Sequence, residues 1–99
     1  MYQNIRSTLT ASLIVLGFTS TLFAANINWT NTTSGGWNTA ANWNPNNVPG
    51  VADTAIITNA GVTVTLDVSP TVGGIILGTN GPGTVTFALN GQTLALNGP

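Results

Sequence analysis

Residues 54–96 read TAIITNAGVTVTLDVSPTVGGIILGTNGPGTVTFALNGQTLAL, a run of short apolar segments cut at intervals by Gly, Asn and Pro. Residues 62–66 alternate cleanly, with Val62, Val64 and Leu66 on one face and Thr63 and Thr65 on the other. That period of two is the signature of a half-buried strand. Residues 84–89 repeat it with Val85, Phe87 and Leu89, and residues 92–96 with Leu94 and Leu96. Residues 54–58 and 72–77 are two more apolar strand segments. Segments of this kind at intervals of roughly 8 to 12 residues indicate an all-β sandwich, barrel or solenoid.

Two arrangements compete for these segments. Asn90-Gly91 lies between alternating runs, the usual signal for a two-residue hairpin turn, and on that ground residues 84–96 form an antiparallel hairpin in a small sandwich. The Asn/Thr/Gly-rich repetition, nearly free of charge, favours a parallel β-helix with coils of roughly 20 residues. In that arrangement Val62, Val64, Leu66, Ile75, Leu77, Val85, Phe87, Leu89, Leu94 and Leu96 fill the interior.

Working back toward the start, residues 29–50 read WTNTTSGGWNTAANWNPNNVPG and hold all three tryptophans, Trp29, Trp37 and Trp43. Residues 26–30 alternate as a first short strand. Ser34-Gly35-Gly36, residues 44–47 and Pro49-Gly50 are turn signals, and Pro45 with Pro49 excludes a helix there. Residues 40–43 have room for one helical turn, capped by Asn38 or Thr39.

Residues 1–24, MYQNIRSTLTASLIVLGFTSTLFA, have the order of a secretory signal: a weakly positive start at Arg6, a short apolar segment, then small residues Ala24 and Ala25. Thr19, Ser20 and Thr21 interrupt too early for a spanning helix, which needs about 20 mostly apolar residues. Cleavage after Ala24 is the expected processing event, placing the protein at the cell surface, at the outer membrane or outside the cell. The chain then divides into the signal (1–24), a Trp-rich cap (25–53) and β-strand repeats (54–99).

Composition removes most chemistries. The chain has 1 basic and 2 acidic side chains (Arg6, Asp53 and Asp67), with no His and no Cys. Without a basic patch there is nothing to neutralise phosphates, so no nucleic-acid partner is expected. A Ser-His-Asp triad lacks its base, and two carboxylates do not supply the six to eight oxygens of a calcium cage. Paired-carboxylate hydrolysis has Asp53 and Asp67 as its sole candidates, and both sit beside turn residues, where Asp normally bonds its own backbone. The expectation is therefore a non-enzyme with no cofactor, no metal and no catalytic residue. With so little charge to keep copies apart, self-association through open strand edges is expected.

Trp29, Gly36-Trp37, Ala41-Asn42-Trp43, Val48-Pro49-Gly50 and Asp53-Thr54-Ala55, followed by residues 62–66 and 72–75, resemble in this order the N-terminal region of exported bacterial β-solenoid proteins. These are the autotransporter passenger type with autotransporter-associated β-strand repeats. The resemblance implies a right-handed parallel β-helix and a structural or adhesive role at the surface, without a stated activity. Chains of that type are longer, so this sequence, which stops in mid-repeat, is expected to be a fragment.

The tryptophans then have two readings. Exposed indole faces beside Asn side chains make Trp29, Trp37 and Trp43 a candidate glycan platform, in a carbohydrate-binding segment of a larger polysaccharide-active protein. Buried, they plug the N-terminal end of the fold. Each buried Trp removes on the order of 200 Å² from water, worth several kcal/mol at about 25 cal/mol per Å². The plug is the leading expectation.

Overall fold

The computed structural model describes residues 23–79 and 81–98. The expected export segment therefore lies outside the described residues up to position 22. Among the described residues no helix is long and apolar enough to cross a membrane.

The all-β class is as expected. Among the described residues nine short strands follow one another: β1 (Asn26–Trp29), β2 (Gly35–Gly36), β3 (Trp43–Asn44), β4 (Thr54–Ile57), β5 (Thr63–Thr65), β6 (Thr71–Val72), β7 (Gly74–Leu77), β8 (Thr86–Ala88) and β9 (Ala95–Leu96). One 3-10 turn, Ala40–Asn42, precedes β3. It falls where one helical turn was expected, with Thr39 as its N-cap residue, but the Thr39 side chain makes no capping hydrogen bond.

The strands form three small sheets, ordered β3-β1-β4-β7, β2-β5-β8 and β6-β9. Sheets of this size fall short of a continuous solenoid over the described residues. Their pairing is nonetheless parallel almost throughout. Asn26 lies beside Thr54 and Thr54 beside Gly74; Gly35 beside Val64 and Val64 beside Phe87; Val72 beside Leu96. The exception is β3, which pairs antiparallel with β1 and sets Trp29 opposite Trp43. Backbone bonds just outside the strands continue the ladders, among them Trp37 N–H to Thr65 O (2.9 Å), Leu66 N–H to Ala88 O (2.9 Å) and Asn97 N–H to Val72 O (2.7 Å).

Three local expectations are corrected. Ser34-Gly35-Gly36 was expected to be a turn, yet Gly35–Gly36 is β2 and pairs in parallel with β5. The Asn90-Gly91 turn forms, with φ of 52° and 77° and a Gln92 N–H to Leu89 O bond of 2.8 Å. It does not close a hairpin, because β8 pairs with β5 and β9 with β6, both in parallel. The antiparallel sandwich is thereby set aside for this part of the chain. The segment read as one strand over residues 72–77 is in fact two, β6 and β7, in different sheets, with a bend at Gly73. A Cβ at Gly73 would stand 2.9 Å from Ala52 O and 3.0 Å from Ala52 C, so this corner has room only for glycine.

The core consists of Ile27, Trp29, Trp37, Trp43, Ala55, Ile57, Val62, Val64, Leu66 and Val72. Val62, Val64 and Leu66 were expected there; Ile75, Val85, Phe87 and Leu94 are partly buried against it. Leu77, Leu89 and Leu96 are exposed by 46%, 49% and 59%, contrary to expectation. For two of them the face was read correctly: Leu77 sits beside the fully buried Ile57, and Leu96 beside the fully buried Val72. They belong to the last strand of each sheet or directly follow it, so no described strand packs over them.

Candidate functional site

The Trp-rich stretch folds into an interior cluster. Trp37 is fully buried, and Trp29 and Trp43 are 3% and 2% exposed. Alternation on β1 turns Ile27 and Trp29 inward, while Asn26 and Asn28 face solvent. The 3-10 turn then brings the chain back so that Trp43 meets Trp29 across the antiparallel pair. The rings meet edge to face: Trp29 and Trp43 at 5.2 Å between centroids, Trp37 and Trp43 at 4.9 Å, and Trp37 and Phe87 at 5.9 Å. Quadrupole complementarity favours such contacts by about 0.5–1.5 kcal/mol each beyond area burial. Phe87 was counted only as a generic interior residue in the sequence; the structure places it against the tryptophans.

The three indole N–H groups fare differently. Trp29 Nε1 donates to Asn31 O (2.8 Å) and Trp43 Nε1 to Trp37 O (2.8 Å). Trp37 Nε1 is buried with no partner among the described residues.

Beside the rings lies a network of neutral amides. Buried Asn42 donates from Nδ2 to Gly36 O (2.9 Å), and its Oδ1 accepts from Asn31 Nδ2 (2.8 Å). Asn31 Oδ1 accepts from the backbone N–H and the hydroxyl of Thr33 (2.9 and 2.7 Å). Asn59 Nδ2 reaches across from the strand region to Trp29 O and Asn31 O, both at 3.3 Å. The amide network also explains Gly35, where a Cβ would stand 2.9 Å from Asn42 Nδ2.

Both carboxylates accept backbone N–H groups. Asp53 Oδ2 takes Gly50 N–H (2.8 Å), the local turn contact expected, and Oδ1 takes Ala25 N–H (3.1 Å), 28 residues away. Asp67 Oδ1 accepts Asn38 N–H (2.9 Å) from the middle of the Trp stretch. The expectation of a bond to its own turn misses this one. The only sequence signal for it is the glycine at position 36, where a Cβ would lie 2.8 Å from Asp67 Oδ2. Among the described residues no group of three or more His, Cys, Asp or Glu is placed to hold a metal ion.

Two open hollows among the described residues, of about 450 and 290 Å³, lie away from the tryptophans. The first is bordered by Ala24, Val51, Ala52, Thr54 and Gly73 among others, with no titratable side chain in its lining. Stacking on a sugar requires an open ring face, and burial leaves Trp29, Trp37 and Trp43 none. The arrangement packs Trp29 of β1 and Trp43 of β3 together and joins them through Trp37 to Phe87 of β8. Comparisons of the chain with models of protein families, with curated proteins and with solved structures gave no match.

Proposed function

We propose that this chain forms the N-terminal end of an exported right-handed parallel β-helix of the autotransporter-associated repeat type, acting as a non-enzymatic structural or adhesive surface module. One observation carries the reading. All three sheets grow by parallel addition, with pairing partners separated by roughly twenty to thirty residues, the length of one solenoid coil. At the N-terminal side that growth stops: β3 covers the outer edge of β1 in the opposite direction, and the tryptophans fill the space beneath. A solenoid needs such a cap where its first coil would otherwise expose backbone and core. The residues 25–53 are that cap in this reading, and the strands from β4 onward are the repeats.

Surface glycans or other cell-surface molecules are the partners such a module would meet, through the outer faces of the coils and not through the indoles. The test uses the chain exported from a bacterial host and titrated with a panel of surface polysaccharides, following tryptophan emission and, separately, retention on the immobilised glycans. Retention without any change in emission is the expected result for an adhesive module. A saturable emission change abolished by replacing one of the three tryptophans would overturn it in favour of a carbohydrate-binding site.

A further inference from the structure

We propose that Asp53 is the receiving site for a new amino terminus at Ala25, created when residues 1–24 are removed, and that the pair so formed fastens the first strand. The proposal rests on the export reading above and adds to it what the cleaved end does.

The geometry is in place around the bond. Ala25 N is 3.1 Å from Asp53 Oδ1. On its other side the Ala25 carbonyl accepts Thr54 N–H at 2.8 Å, the first rung between β1 and β4. The remaining carboxylate oxygen is fixed by Gly50 N–H at 2.8 Å, so Asp53 is held facing Ala25. The two described residues before this point lie at the surface: Ala24 is exposed and Phe23 is 84% exposed.

Charge makes the position distinctive. Arg6 is the only basic side chain in the sequence, and it departs with residues 1–24. The α-ammonium of Ala25 then becomes the cation of the mature stretch, facing one of its two carboxylates; the other, Asp67, is engaged with Asn38 N–H. The reaction is hydrolysis of the Ala24–Ala25 peptide bond by an export-associated peptidase. The C–N bond breaks, water gives its hydroxyl to the Ala24 carbonyl carbon and a proton to the Ala25 nitrogen, and the amine takes a further proton from solvent. A neutral amide donor becomes a charged one at the same place, and charge-assisted hydrogen bonds are about twice as strong as neutral ones. The precursor lacks this contribution and the processed chain has it, in the order an exported chain needs, since it must stay unfolded until it has crossed the membrane.

The carboxylate engages the amine that would otherwise be free to react. The test starts from the full-length sequence expressed in an export-competent bacterium. Mass spectrometry of the exported product is expected to find Ala25 at the N-terminus. Acylation of that amine near pH 7.5 should run about 1.5- to 5-fold slower in the folded protein than in urea or in folded Asp53→Asn, the range of an exposed ion pair. Asp53→Glu should restore part of the protection, and Asp67→Asn should not remove it. A product cleaved elsewhere, or equal acylation rates folded and in urea, would overturn the proposal while leaving export intact. A product retaining Met1 would instead remove the export reading, and this proposal with it. Should Asp53→Asn fail to fold, the folded and urea-unfolded wild-type rates still decide.

Discussion

The three indole N–H groups make a prediction at the scale of single residues. Trp43 Nε1 bonds Trp37 O, whereas Trp37 Nε1 is buried without a partner. Replacing either ring by Phe removes a similar volume from the core. Trp43→Phe also strips a partner from a buried carbonyl, while Trp37→Phe disposes of an unsatisfied donor. Leaving a buried polar group unpaired costs about 1–3 kcal/mol. Trp43→Phe should therefore destabilise more than Trp37→Phe by about 1–3 kcal/mol in urea unfolding followed by circular dichroism; the opposite order would mean that Trp37 has a partner in solution. Which indole is satisfied was not legible from the sequence. The clustering of three tryptophans among small and amide residues was, because burial follows from apolar area alone. Hydrogen-bond partners such as Asn31 O and Trp37 O are backbone atoms, placed only once the turns are folded.

At the scale of elements, most strand positions were readable, β2 at Gly35–Gly36 excepted, while the residues left the pairing open between a hairpin and parallel addition. Residues 26–30, 54–58 and 62–66 contain β1, β4 and β5 because period-two alternation is a local property. Asn90-Gly91 illustrates the limit: the turn it specifies forms, yet the strands on either side go to different neighbours, since pairing is decided by strands some two dozen residues back. Gly73 illustrates another. Its role at the corner between β6 and β7 depends on the approach of the Ala52 carbonyl, which no local pattern records. Gly73→Ala should cost about 1–3 kcal/mol through this backbone clash. Gly78→Ala, with nothing within 4 Å of its Cβ and no positive φ, should be neutral or slightly stabilising. Denaturation midpoints of the two variants check this, and equal losses would show that the corner relaxes freely.

Across the whole molecule, burial falls from one side to the other. Ile57 and Val72 are fully buried, while their parallel neighbours Leu77 and Leu96 are about half exposed. The apolar face is therefore open along the last described strands, and no charged side chain lies on those strands to repel a second copy. In isolation the chain should self-associate through this end. Sedimentation should show a concentration-dependent dimer or larger species, weakened at least several-fold by Leu77→Thr together with Leu96→Thr. Monomeric behaviour at high concentration would count against an open end. Sequence patterning assigned these leucines to the right face; their exposure depends on what stacks above them, which lies outside any local reading.

The stitching between layers is made almost wholly of uncharged groups. Asn59 reaches Trp29 and Asn31, Ser34 Oγ accepts Thr63 N–H at 2.9 Å, and Ser69 joins Gln92 at 2.8 Å. Amides and hydroxyls neither titrate near neutrality nor gather counterions, so salt screening has little to act on. These amide and hydroxyl cross-links should hold alike in fresh water and in brine, leaving the bonds of Asp53 and Asp67 as the salt-sensitive minority.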